Sequence, residues 1–147
     1  MDIEPITVLL AEDDQDDRYL ISEALDESGS KNQLLIVNNG EQLLDYLKNR
    51  GQFTDKEKYP RPSVILLDLN MPLMDGREAL AEIKEDQNLK RIPVVVLTTS
   101  QADEDILKTY DLGVTGFITK PMDFRELVDI MKSLGTYWFQ SVTLPSK

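Results

Sequence analysis

Six residues have the types and spacing to do chemistry together. Glu12, Asp13 and Asp14 follow the run Ile6 to Ala11, Asp68 follows Val64 to Leu67, Thr98 follows Val94 to Leu97, and Lys120 lies just past Val114 to Ile118. Each polar group thus stands at the end of a short run of branched apolar residues. If the runs are parallel strands, all of these groups share one edge, where open α/β sheets bind their ligands. Carboxylates crowded there repel by roughly 4 kcal/mol per pair at about 4 Å and an effective dielectric near 20. Such a cluster raises a pKa or recruits a cation. An all-oxygen anionic site selects a hard ion, Mg²⁺ or Mn²⁺, and magnesium leaves positions for water and phosphate oxygens. Lys120 suits a phosphate oxygen as a point charge, Thr98 can donate a hydroxyl hydrogen bond, and Asp68, between Leu67 and Leu69, is the best-placed nucleophile. Taken singly, Asp68 reads as a turn or capping acid and Lys120 as a solvated lysine; their joint placement points to metal-assisted phosphoryl chemistry.

The elements that must position these groups follow from periodicity. The apolar runs, with Leu34 to Val37 as another, lack polar alternation, which suits strands covered on both faces. Between them lie stretches with helical spacing. Leu20, Ile21, Ala24 and Leu25 precede Gly29, and Leu43, Leu44 and Leu47 follow Asn39-Gly40. Ala79, Leu80 and Ile83 lie within 77–85, and Ile106, Leu107 and Tyr110 precede Gly113. Asp123 can cap a last helix whose inward stripe is Phe124, Leu127, Val128, Met131 and Leu134. Alternating units predict a flavodoxin-like (βα)5 fold, a doubly wound parallel sheet of strand order 2-1-3-4-5. A single domain is expected over 1–147, with a core of about 6–135 and a C-terminal extension over 136–147. The polar stretch 49–62, with four Lys/Arg residues, reads as a long loop, either functional or a tolerated insertion.

Composition narrows the chemistry. The 147 residues include no cysteine and no histidine, which excludes disulfides, thiolate nucleophiles, Cys/His zinc sites and histidine acid–base catalysis. A formal net charge of −11 repels nucleic acid and favours a cation and a basic partner surface. There is no apolar run near the length of a membrane span, and residues 1–5 do not read as a signal peptide, so a cytoplasmic protein without membrane contact is expected.

With these pieces in place the chain resembles the receiver (CheY-like) domain of two-component response regulators over about residues 6–135. The resemblance is carried by Val8-Leu9-Leu10-Ala11-Glu12-Asp13-Asp14, by Leu67-Asp68-Leu69-Asn70-Met71-Pro72-Leu73-Met74-Asp75-Gly76, by Pro93-Val94-Val95-Val96-Leu97-Thr98 and by Lys120-Pro121. It implies that Glu12 holds the metal through water, that Asp13 and Asp68 are direct ligands, that the backbone carbonyl of Asn70 completes the site, and that Asp68 is the phosphoacceptor. It implies that Thr98 and Lys120 bind the phosphoryl oxygens, and that the bond before Pro121 is cis. Asp14 falls out of the ligand register and reads as a helix-start acid. The implied switch pair is Thr98 with the aromatic at Phe117, where tyrosine is common. Thr99 stands where alanine is common, which is expected to slow loss of the phosphoryl group.

The tail Thr136-Tyr137-Trp138-Phe139, the 49–62 loop and Asp75-Gly76-Arg77-Glu78 look like the small response regulators of cyanobacterial phytochrome histidine kinases. That resemblance implies a sensor histidine kinase as partner, protein–protein output with no output domain in the chain, and a homodimer through the fourth predicted helix, fifth strand and last helix. Tyr110, Phe117, Tyr137, Trp138 and Phe139 would supply its aromatic surface. Such a protein assists its own phosphorylation and dephosphorylation without being an enzyme for other substrates. Two other functions share parts of the pattern. One is a magnesium-dependent aspartyl phosphatase, whose Asp-x-Asp pattern would need an acid where Asn70 stands. The other is an unphosphorylated interaction module of the same fold.

Overall fold

The computed structural model describes residues 6–29, 32–69, 71, 76–98 and 114–133. Five strands, β1 (Thr7–Ala11), β2 (Gln33–Val37), β3 (Val64–Asp68), β4 (Val94–Thr98) and β5 (Gly116–Thr119), form one parallel sheet in the order β2-β1-β3-β4-β5. Helices α1 (Gln15–Glu27), α2 (Gly40–Leu47), α3 (Gly76–Glu85) and α4 (Phe124–Ser133) are the α-helices among the described residues. The predicted helix around Ile106, Leu107 and Tyr110 lies outside them, as does the extension 136–147. None of the helices is long and apolar enough to cross a membrane.

Side-chain alternation along each strand divides the core in two. Leu9, Ala11, Ile65, Leu67, Val94 and Val96 face one layer with Leu43, Leu44, Ala79, Leu80 and Ile83 of α2 and α3. Val8, Leu10, Val64, Leu66, Val95 and Leu97 face the other with Ile21, Ala24, Leu25, Leu127, Val128 and Met131 of α1 and α4. Each fully buried aliphatic side chain contributes about 1.5–3 kcal/mol, which is why runs without polar alternation fold as covered strands.

Two expectations fail at the margins of this pattern. The run Leu34 to Val37 is not covered on both faces: β2 is an edge strand, with Leu34 and Leu35 half-buried and Ile36 40% exposed. Phe124 belongs to the apolar stripe by spacing, but it starts α4 beyond the reach of the core and is 38% exposed.

Three helix starts are capped, at Asp123 as predicted, at Asp14 in keeping with its helix-start reading, and at Asn39, not singled out from the sequence. Asp14 accepts from the Asp17 amide at 3.0 Å, Asn39 from the Gln42 amide at 2.8 Å, and Asp123 from the amides of Arg125 and Glu126. The 49–62 segment is closed by packing rather than left as a polar loop. A 3-10 turn at Gly51–Phe53 buries Phe53 against Tyr46 and Tyr59, with ring centroids 5.0 to 5.7 Å apart. The Tyr46 hydroxyl donates to the Pro60 carbonyl at 2.9 Å, and the Asn49 amide donates to the Phe53 carbonyl at 3.0 Å. Asn49 itself takes the left-handed conformation, φ 52°, which asparagine tolerates in such turns.

A carboxylate cluster around one ammonium

The parallel registers bring the strand ends level. Ala11 pairs with Leu67, Asp68 with Leu97, and Thr98 with Thr119, so Glu12, Asp68, Thr98 and Lys120 emerge on one edge. Carboxylate oxygens of Glu12, Asp13 and Asp68 lie within 4.8 Å of one another. Glu12 is wholly buried, Asp68 nearly so, and Asp13 is exposed.

Lys120 is not solvated. It is 9% exposed, and its Nζ lies 2.5 Å from Glu12 Oε1, 2.9 Å from Asp17 Oδ2 and 3.5 Å from Asp68 Oδ2. The bond to Pro121 is cis. Burial draws the Lys120 ammonium toward its neutral form, but hydrogen bonds to Glu12 and Asp17 and the charge of Asp68 outweigh it. The ammonium therefore holds its proton more tightly than an ordinary lysine. Burial pushes the Glu12 carboxyl up to about 7; the hydrogen bond with Asp68 and its charge act the same way, and Lys120 pulls back only in part.

Local sequence fixes this geometry. The turn between β1 and α1 is held by Arg18, whose Nε donates to the Glu12 carbonyl at 2.6 Å and whose guanidinium bonds the Asn38 side chain. The Asp14 amide donates to Glu12 Oε2 at 3.2 Å, and the Asp14 side chain caps α1, the helix-start role expected of it. On the other side α3 begins against the backbone of Asp68. A Cβ on Gly76 would lie 2.4 Å from the Asp68 carbonyl oxygen and 2.7 Å from Leu69 Cα, so only glycine fits. The Gly76 amide donates to the Leu69 carbonyl at 3.0 Å.

The structure thus brings together Glu12, Asp13, Asp68 and Lys120 from the predicted set. Thr98 ends β4 at the same edge. Its side chain, Asn70, Thr99, Tyr110, Tyr137, Trp138 and Phe139 lie outside the described residues. Phe117 is half-buried and packs toward the α2–α3 layer. Two contributors carry no signal of their role in the sequence: Asp17, which looks like any acid in a helix first turn, and Gly76, which stands in the Asp68–Gly76 motif like any loop glycine.

The donor set fits a hard divalent cation. The donors are all carboxylate oxygens, two of the three acids are buried, and one ammonium stands against four carboxylates when Asp17 is counted. A cation would supply the missing positive charge.

Known proteins agree with this arrangement. The family model for the response regulator receiver domain matches residues 8–132. The response regulator Rcp1 of Synechocystis sp. is 42% identical over 142 residues, covering 97% of this chain and 95% of Rcp1. The crystal structure of the phosphorylated cyanobacterial phytochrome response regulator RcpA superposes with a TM-score of 0.82 at 42% identity, over 94% of this chain and 96% of that one. The crystal structure of the Mn²⁺-bound form of Rcp1 gives 0.79 at 40% identity, over 93% and 96%.

Proposed function

This chain belongs to the response regulator receiver domain family, and on that premise we propose that Asp68 is its phosphoacceptor and that a phytochrome-type sensor histidine kinase is its phosphodonor. The observation that carries the assignment is the buried Asp68 carboxylate set between the Glu12 and Asp13 acids and the Lys120 ammonium.

Glu12, Asp13 and Asp68 would hold a divalent ion, Mg²⁺ or Mn²⁺, with the Asn70 carbonyl as a further ligand. When bound, the ion neutralises charge that otherwise keeps a phosphoryl group away from a carboxylate. An Asp68 oxygen attacks the phosphorus of a phosphohistidine in line. The new P–O bond forms as the P–N bond breaks, and the imidazole leaves with the electron pair and takes a proton from water. Lys120 offers its ammonium to a phosphoryl oxygen, and the Thr98 hydroxyl offers a hydrogen bond to another. Gly76 keeps the backbone at Asp68 within reach of α3. The acyl phosphate carries about −1.5 to −2 charges where the free carboxylate carried one, so the pocket gains up to about one negative charge and a new set of acceptor oxygens. Thr98 and Phe117 then relay that change to the surface of β5 and α4, where partner proteins or a second copy bind. Hydrolysis of the acyl phosphate at the same site resets the protein.

The test is labelling by a small phosphodonor such as acetyl phosphate with Mg²⁺. Wild type is expected to take up about one phosphoryl group per chain, and Asp68→Asn none. Stable label on Asp68→Asn would reject the assignment. Transfer from a phytochrome kinase should follow the same pattern.

A further inference from the structure

The proposed function gives roles to Glu12, Asp13, Asp68 and Lys120 and leaves one close contact unexplained. An ammonium has three hydrogens, and Lys120 has three carboxylates within 3.5 Å: Glu12, Asp68 and Asp17. Asp17 belongs to neither the metal set nor the nucleophile. It reaches in from the first turn of α1, its backbone amide fixed on the Asp14 cap at 3.0 Å, and its side chain is 24% exposed where Asp68 is 5%. Its oxygen is 2.9 Å from Nζ, nearer than that of Asp68 at 3.5 Å. The ammonium is therefore shared outward, toward the rim.

We propose that Asp17 is a positioning residue for Lys120. It holds the ammonium partly off Asp68, which leaves that carboxylate less occupied for a divalent cation. Being the partner closest to solvent, it is also the carboxylate that yields its place when an anionic oxygen arrives. An acid in a helix first turn is ordinarily favoured by the helix dipole alone. Asp16, one residue earlier in that turn and exposed, is the control for that ordinary role.

The inference rests on the reading of Glu12, Asp13 and Asp68 as the cation site, and its test needs no phosphoryl transfer. Mn²⁺ affinity would be measured by electron paramagnetic resonance on full-length protein in a double-mutant cycle of Asp17→Asn with Lys120→Gln. With Lys120 present, Asp17→Asn should weaken Mn²⁺ binding about tenfold, because the ammonium, already on Glu12, closes onto Asp68 as well. With Lys120→Gln, the same change should cost less than about twofold, the residue of a through-space charge effect near the surface. Asp16→Asn should cost no more than that in either background. An equal loss from Asp17→Asn with and without Lys120 would overturn the proposal, since the charge would then act directly and not through the lysine. Lys120→Met provides the same background should the glutamine variant fail to fold. If the cycle shows the coupling but Asp68 takes no label, the phosphoacceptor assignment falls and the Asp17 role stands.

Discussion

The two edges of this sheet are built on opposite terms. At the carboxyl ends of the strands, Glu12, Asp68 and Lys120 bury charge against charge, and Gly76 leaves no room for a side chain. At the other edge, where α2 returns to β3, Tyr46, Phe53 and Tyr59 close a segment of polar composition with ring contacts and two backbone-directed hydrogen bonds. Breaking a buried ion pair by removing one partner is costly, yet the intact pair adds little stability over an apolar one. Ring packing adds stability without burying any charge. The comparison teaches that stability and chemistry are lodged at separate edges, so each should be alterable with little effect on the other.

Phe53→Ala is the largest expected break. Removing the buried ring should cost about 3–5 kcal/mol in chemical denaturation, while phosphoryl labelling of the protein that remains folded stays near wild type. A parallel loss of labelling per folded molecule would mean that the edges are coupled. Gly76→Ala is the converse. The added methyl meets backbone atoms that cannot turn aside, so about 1–3 kcal/mol of stability should be lost, and the displaced Asp68 should reduce labelling at least tenfold. Unchanged labelling would show that the site tolerates a moved backbone.

The smallest expected effect sharpens the packing side. Burial, aided by the neighbouring Tyr59, pushes the Tyr46 hydroxyl up to about 12. The folded state thus holds this proton above the unfolded value near 10. Its contribution is complete below about pH 10 and is lost as pH rises through 12. Tyr46→Phe should cost about 1 kcal/mol at pH 7 by stranding the Pro60 carbonyl. The gap between wild type and variant should close above pH 11. A constant gap in melts across that range would deny the burial of the ionisable hydroxyl.

The legibility of the sequence divides along the same line. Strand ends and the residues on them were readable because an apolar run stops at a polar residue, and the registers do align Glu12, Asp68, Thr98 and Lys120. The covered faces of α2 and α3 were readable from spacing alone. Three features were not. β2 is at the edge that the predicted strand order gives it, but its composition, that of a covered strand, does not record how much of it stays exposed. Phe53 and Tyr59 carry no periodicity, so a segment rich in Lys and Arg looked open. Asp17 shows its distinction only when Lys120, distant in sequence, comes to rest 2.9 Å away.

Arg18 gives the edge strand something that its ladder lacks. β2 has a hydrogen-bonding neighbour on one side only, and such strands are the first to open in native fluctuations. Arg18 reaches from α1 to the Glu12 carbonyl and to Asn38, the residue just past β2, while the Glu12 amide bonds the Val37 carbonyl at 3.1 Å. A peeling motion that starts at the end of β2 must therefore break the strap that also fixes Glu12. In the vocabulary of hydrogen exchange, the amides at that end of β2 and at Glu12 are expected to open together, which ties the buried acid to one margin of the sheet.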